Sequence, residues 1–530
     1  MNYNECWKLP TFAGFSNPLD AKFDMANYFT QIQKSLCPMP PTLALPADSR
    51  IAYTEWAEQN GIKHPKCEYT HLFYSKEGFA YPGVIATEDI HQYEKLIEVP
   101  PNTLITIPKA YMEYKYIFDA HPDLFCNVPT CRVLNKSIVI LATYLIAELS
   151  KKEKSWLFRL FNINPKTFDT LLTWPLNDLK ELQDQYLLQE VVNAQSIIDG
   201  YYKRYYEILS KYPIFFQEFI TKQSFYWVLE YILSRGFDIQ SLFIAPYIDS
   251  LNNSAVDVGI SLHKPGALIF EPINELVSKQ ISIDDQNEYD PKHPYDWLYN
   301  IIQNDATLTK PFCLYASASE FKKGEEVFNN YDDDNNKILL LFYGYCIEFN
   351  IYDFIKMPVD LIMSQPNKIP IFCKQFKPKY SLESMAIPIY YTLVSNTLID
   401  YAKLLVIKED EFSMHKSNIK QEILAIENAI MIVAAYVNAF PTTLKQDMEL
   451  LQQKPNSSKL FFSIVCRAWG KRIAHHQIYL LSIIKDMLNL IQNGEDKSSV
   501  FNQTMKIESG TNDFNIKLNR RMILPYYDLL

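Results

Sequence analysis

The sequence predicts an α+β protein: small twisted β-sheets, interrupted by an inserted helical subdomain and followed by an all-α domain. Three observations predict it. Short apolar–polar runs broken by Gly and Pro fill residues 66–108 and return at 242–272 and 310–331, which suits strands. Residues 135–235 place apolar side chains at i, i+3, i+4 and i+7, the spacing of amphipathic helices. From about 383 to 493 nearly all of the chain has that helical spacing.

In chain order, residues 1–50 carry Pro38, Pro40, Pro41 and Pro46 and read as an extended N-terminal arm. IAYTEWAEQNG (51–61) has helical spacing and stops at Gly61, a fitting C-terminal cap. CEYTHLFYS, GVIAT and KLIEVP follow as strands and complete a first sheet-forming part over 51–134. The helical insert spans 135–241, and the second sheet-forming part spans 242–360. Within that part, ISIDDQNEYDPKHPYDW (281–297) is an acidic, proline-broken surface loop, and 337–356 holds a short apolar helix and a turn. The all-α domain spans 361–495. A tail, 496–530, ends with a candidate strand at RMILPYY.

At 530 residues the chain is too long for one compact core. Its 48% hydrophobic and 21% charged residues are ordinary for a globular protein. The net charge of −10, without any sustained Lys/Arg stripe, argues against a nucleic-acid partner, because phosphate neutralisation needs a basic face. Nine cysteines occur without a Cys-x-x-Cys pair, so neither a zinc cluster nor a disulfide framework is written here, and no metal is expected. The spacing of Cys126 and Cys131 matches no strong motif, and free thiols in a reducing compartment are expected. No run of about 18 apolar residues predicts a transmembrane segment, and no presequence is legible at the start. The expectation is a cytoplasmic protein, with an organelle, the nucleus or a cilium left open. Glycine occurs only 13 times, against 36 Tyr and 32 Phe, so a missing glycine carries less weight here than elsewhere.

Four separated pieces, in order, make up a recognisable constellation. EWAEQNGIKHPKCEY (55–69) with YPGVIATEDIHQYEKLIEVP (81–100) comes first, and FYWVLEYILSRGF (225–237) follows. APYIDSLNNS (245–254) is third, and KGEEVFNNYDDDNNKILLLFYGYCIEFNIYDF (323–354) is fourth. They resemble the SET-domain protein-lysine methyltransferases that carry a Rubisco-methyltransferase-type (LSMT) substrate-binding domain. The family pattern there is a Gly-x-Gly strand start, an aromatic-Trp…Ser-Arg-x-Phe helix end and a Pro-x-x-Asp-x-x-Asn-His-Ser knot. It closes with Gly-Glu…Tyr-Gly…Asn-x-x-Leu-Leu-Leu-x-Tyr-Gly-Phe, which aligns without a gap from Tyr331 through Tyr345. FPTTLKQDMELLQ (440–452) and FFSIVCRAWGKRIAHH (461–476) look like the pattern of the helical domain, Tyr-Pro-Thr-Thr-x-x-x-Asp-x-x-Leu…Arg-x-Gly-x-Lys.

The resemblance implies an S-adenosyl-L-methionine-dependent methyltransferase acting on a lysine of a non-histone protein. Some relatives methylate histidine, so the acceptor type stays open. Methyl transfer from a sulfonium is an in-line displacement, in which positioning and exclusion of water supply most of the acceleration. By the resemblance, Tyr331 falls at the essential tyrosine and Tyr343 at the second tyrosine of the acceptor channel. Gly83, Arg235, Asn252 and Asn253 fall at cofactor contacts, and Asp249 braces the knot. Arg235 can also be read as a helix-end arginine satisfying carbonyls. His475 and His476 are adjacent and cannot converge on one metal from one helix face, so they read as a solvated feature. Asp332, Asp333 and Asp334 read as a solvated acidic turn.

Three departures from the pattern bear on activity. Tyr81, followed by Pro82, stands for the first Gly of the turn that hugs the cofactor. Asn253 stands for His, and Asp332 for the Gly after the essential tyrosine. These departures imply a second reading: a catalytically degenerate SET protein serving as a binding module or as a structural subunit of a larger protein assembly.

Overall fold

A computed structural model describes residues 47–74, 80–122, 133–216, 218–239, 241–253, 258–261, 305–316, 319–329, 335–347, 353–358, 386–391, 394–406, 418–453 and 457–502, with a few isolated positions between them. The acidic loop 281–297, the Asp332–Asp334 run, Cys126, Cys131 and the candidate strand at RMILPYY lie outside these residues.

The fold is α+β. Helix α1 (Ala47–Gln59) leads into β1 (Cys67–Tyr74) and β2 (Ala80–Ala86). The helix begins four residues earlier than its spacing implied. Gly61, at φ +80°, turns the chain out of it, a left-handed backbone that glycine adopts without strain. Strands β3 (Lys95–Val99) and β4 (Ile105–Thr106) follow, and two short helices lead to the insert. The insert is built on α2 (Lys136–Ser150), α3 (Gln185–Leu209) and α4 (Lys222–Arg235). Each starts at a side chain that caps free N–H groups, namely Asn135, Asp184 and Thr221.

The chain then returns to strands β5 (Gly236–Asp238), β6 (Leu242–Ile244), β7 (Val258–Ser261), β8 (Phe312–Ala316) and β9 (Glu326–Val327). These form three antiparallel three-stranded sheets ordered β1-β2-β9, β3-β8-β7 and β4-β6-β5. Each sheet joins strands from both sides of the insert, so the two sheet-forming parts close on each other. One core runs through the sheets and α1 into α2 and α4, with Tyr53, Tyr144, Tyr231 and Tyr247 fully buried.

Helix α5 (Asn336–Tyr343) is followed by β10 (Phe354–Pro358), paired antiparallel with β11 (Ala386–Tyr390), and by α6 (Asn396–Val406). Helices α7 (Ile419–Asn438), α8 (Leu444–Gln452) and α9 (Ser458–Gln492) complete the described chain. Capping boxes Asn418/Gln421 and Thr443/Gln446 start α7 and α8. Ile355, Met357, Ile387 and Ile389 of the hairpin pack into the core of these helices. A third apolar cluster joins the insert (Trp174, Leu187), α5 (Leu340) and α9 (Phe462, Val465).

Three expectations are corrected. Ala386–Tyr390, inside the stretch read as helical from about 383, is strand β11, paired with β10. Tyr81 and Pro82 do not form a turn: they lie in β2, opposite Phe73 and Leu72. Pro82 sits beyond the reach of β9, which pairs only with Val84 and Ile85, and proline is tolerated in such edge positions. His476 is not solvated. It is fully buried on α9, its ring stacked on Tyr391 at 4.4 Å, and burial pushes its pKa down to about 3. The helical spacing turns His476 toward β11 while His475 remains half-buried. No described helix is long and apolar enough to cross a membrane.

Candidate functional site

The site forms where β2, β9 and the knot after β6 meet. The knot is a short 3-10 turn, Ile248–Ser250, followed by Leu251, Asn252 and Asn253. Tyr247, just before it, has φ +78°, an uncommon conformation for a bulky side chain that persists only where its surroundings enforce it. Those surroundings are on both sides of the ring. The backbone N–H of Tyr247 donates to the Tyr53 hydroxyl at 2.7 Å, and its own hydroxyl accepts from the N–H of Tyr69 at 3.0 Å. Tyr53 and His64 stack on it at 5.7 and 4.3 Å between ring centres.

Asp249 is buried. The Tyr231 hydroxyl donates to it at 3.0 Å and Ser250 at 3.2 Å, while the Arg235 guanidinium donates to its backbone carbonyl. Burial pushes the Asp249 carboxyl up, against the opposing pull of Arg235 and of these hydroxyls. Arg235 closes α4, so the end of the insert is tied to the knot through both Tyr231 and Arg235.

Asn252 spans three segments. Its Nδ2 donates to the carbonyl of Pro82 at 3.0 Å and to Oε1 of Glu326 at 2.7 Å. Gly83 is needed here for space rather than for its φ angle. A Cβ on it would lie 2.6 Å from Oε1 of Glu326 and 3.0 Å from the Phe73 ring. Asn253 is bridged through its backbone to Asn329, and the N–H of Asn329 donates to the carbonyl of Asn252 at 2.9 Å. Its side chain donates to the Tyr345 hydroxyl at 2.7 Å, and Tyr345 meets Tyr343 edge-on at 6.3 Å. Gly344 between them has φ +78° and no room for a Cβ, which would fall 2.5 Å from the carbonyl oxygen of Asp169.

Gly83, Arg235, Asp249, Asn252, Asn253 and Tyr343 are therefore brought to one place from four separated stretches of sequence. Tyr331 and Asp332 lie outside the described residues, although Asn329, two positions before Tyr331, is tied to the knot. Sequence reasoning missed Glu326, Tyr345, Tyr247 and Tyr231. Glu326 left a faint signal, as a carboxylate inside the strand-forming run Glu-Glu-Val-Phe. Among the described residues no group of three or more His, Cys, Asp or Glu could hold a metal ion.

The donor set can be tested against S-adenosylmethionine. Its zwitterionic, ribose-bearing structure calls for acceptors, donors and closely approached backbone together. The bare Cα of Gly83 beside a 7%-exposed Glu326 carboxylate, the amide of Asn252 and the half-buried guanidinium of Arg235 supply that set.

No protein-family model matches the chain. It is similar to the ribosomal lysine N-methyltransferase set10 of Schizosaccharomyces pombe, 26% identical over 321 residues, covering 59% of this chain and 48% of that protein. It is also similar to the chloroplastic ribulose-1,5-bisphosphate carboxylase/oxygenase large subunit N-methyltransferase of Pisum sativum, 25% identical over 179 residues and 33% of each chain. A wider match, to the actin-histidine N-methyltransferase of Canis lupus familiaris, is 18% identical over 451 residues and covers 79% of this chain and 66% of that one. The chain thus spans about half, or less, of the first two relatives. Among solved structures, the SET domain of LSMT bound to lysine and AdoHcy aligns with a TM-score of 0.59 at 17% identity, covering 86% of this chain and 98% of that one. Rubisco LSMT bound to sinefungin and monomethyllysine aligns at 0.58, also at 17% identity, with 86% and 99% covered. These likenesses show the fold.

Proposed function

We propose that this chain is a divergent SET-domain protein of the Rubisco-methyltransferase type, and an S-adenosylmethionine-dependent methyltransferase acting on a lysine of a non-histone protein. The observation that carries the reading is convergence. Three of the four motif segments meet through side-chain bonds spanning 170, 92 and 74 residues, from Asn252 to Pro82, Asn253 to Tyr345 and Asn252 to Glu326, and the remaining one joins through Arg235 and Tyr231 at Asp249. Such long-range agreement is what a site built from dispersed segments requires.

When bound, S-adenosylmethionine supplies a methyl group on a sulfonium. The chain's own task is positioning and dehydration. Gly83 lets the donor approach the backbone, Arg235 and Asn252 hold its polar groups, and Asp249 keeps Arg235 and the knot in place. Tyr343, and by the resemblance Tyr331, are the tyrosines of the acceptor side, offering ring faces and hydroxyl acceptors to an amine. A protein substrate is supported by the relatives, which are a ribosomal lysine, a carboxylase/oxygenase large-subunit and an actin-histidine methyltransferase. Neither nucleic acid nor metal enters this reading.

Calorimetric titration with S-adenosylmethionine tests it. Saturable binding is expected, together with tritium transfer from labelled S-adenosylmethionine to proteins of a cell extract. Tyr331→Phe is expected to keep binding and to lose about a hundredfold or more in transfer. No heat at millimolar ligand overturns the reading.

The alternative, a SET fold kept as a binding module or structural subunit, has an observation of its own. Glu326 already fills the space beside Gly83 and engages Asn252. A silent titration with comigration in a large native complex would establish it.

A further inference from the structure

Tyr345 belongs to no role assigned above, yet it links the two halves of the proposed site. It follows Gly344, which has φ of +78° and where an added Cβ would fall 2.5 Å from the carbonyl oxygen of Asp169. The Tyr345 hydroxyl lies 2.7 Å from Nδ2 of Asn253, a residue only 7% exposed, and its ring meets the Tyr343 ring edge-on. The backbone of Asn253 is in turn bridged to Asn329, just before Tyr331.

We infer that Tyr345 is a positioning residue: its hydroxyl holds Asn253, and through it the donor-side knot, in register with the segment that carries Tyr343. A partly buried hydrogen bond between a neutral amide and a phenol fixes geometry more than it adds stability, since its net contribution is modest. The pairing also fits the two departures from the family pattern that meet here. Asn253 stands for His, and Tyr345 stands for the Phe of Tyr-Gly-Phe.

The inference rests on the donor-site reading, and a mutant cycle on donor affinity separates the two. Calorimetric titration of the full chain with S-adenosylmethionine is carried out for wild type, Tyr345→Phe, Asn253→Leu and the double variant, with thermal unfolding of each. Tyr345→Phe is expected to weaken binding about three- to tenfold with its cooperative unfolding transition intact. Asn253→Leu should weaken it at least as much, and the double variant should be no weaker than the weaker single. Should Tyr345→Phe not fold, Asn253→Leu and its wild-type reference carry the comparison. A lower melting temperature with unchanged affinity marks a merely structural bond and overturns the inference, as do losses that multiply in the double variant. No binding by the wild type overturns the donor reading, and this inference with it.

Discussion

Two motif-bearing regions of this protein end in different kinds of polar centre. In the helical domain, the residues that matched a pattern in the sequence gather into a closed charge cluster. Asp447, fully buried, accepts from Arg467 at 2.9 Å and from Lys471, and Lys471 also reaches the Thr442 hydroxyl at 3.0 Å. Thr442 donates onward to Gln183 at 2.6 Å, and Arg467 donates to the carbonyl of Glu181. Asp184, next to Gln183, holds Lys337 of α5 at 2.6 Å. The cluster therefore fastens α8 and α9 to the insert, and the insert to α5. At the knot the Asp249 and Glu326 carboxylates and the Arg235 guanidinium share the bonding with amides and hydroxyls, and Asn252, Arg235, Tyr343 and Tyr345 keep part of their surface exposed. The comparison teaches that charged residues closed on one another can be an anchor, while charged and neutral polar groups left partly open can be a site.

Asp447→Ala should break this contrast most severely. It leaves the cations of Lys471 and Arg467 buried without their carboxylate, at a cost of about 3–5 kcal/mol. A urea-denaturation midpoint checks it, and a change of less than about 1 kcal/mol would show that the cluster is no anchor.

Gly344→Ala comes next. It meets both the positive φ and the Asp169 carbonyl, and should cost about 1–3 kcal/mol. The same denaturation series reads it, with the donor titration expected to weaken in parallel.

The smallest effect is on pH. Burial holds His476 at about 3, below the ordinary histidine value, so the folded protein resists a proton that the unfolded chain accepts. Its contribution is present above about pH 6.5 and is lost as pH falls from there toward 3. Glu230 acts in the opposite sense. Burial beneath the Thr170 and Thr173 hydroxyls pushes its carboxyl up to about 8, so its contribution is present below about 4.5 and is lost as pH rises to 8. Melting temperature against pH should fall on both sides. Glu230→Gln should flatten the alkaline side only, and an unchanged alkaline slope would contradict this assignment.

Much of the fold was legible because it depends on local periodicity. Alternation gave β1, β2, β3 and β8, and the 3.6-residue spacing gave α2, α3, α7 and α9. Gly61 marked a helix end for a reason any chain shares. The site was legible only in outline. Gly83, Arg235, Asp249, Asn252, Asn253 and Tyr343 could be named because their spacing matches a known pattern, but no spacing reveals what each side chain touches. The Tyr81–Pro82 turn and the solvated His476 were misread for that reason, since each depends on a strand or helix packed against it from elsewhere in the chain.

By itself, then, the sequence determined the order of strands, insert and helices, and which segments carry polar groups fit for a donor and an acceptor. Tertiary structure alone decided that Glu326 fills the space beside Gly83, that Asn253 pairs with Tyr345, and that Asp447, Arg467 and Lys471 close on one another. The physical reason is range. Periodicity is set by neighbours three or four residues away, whereas these contacts join residues 20 to 243 positions apart and exist only once the cores have packed.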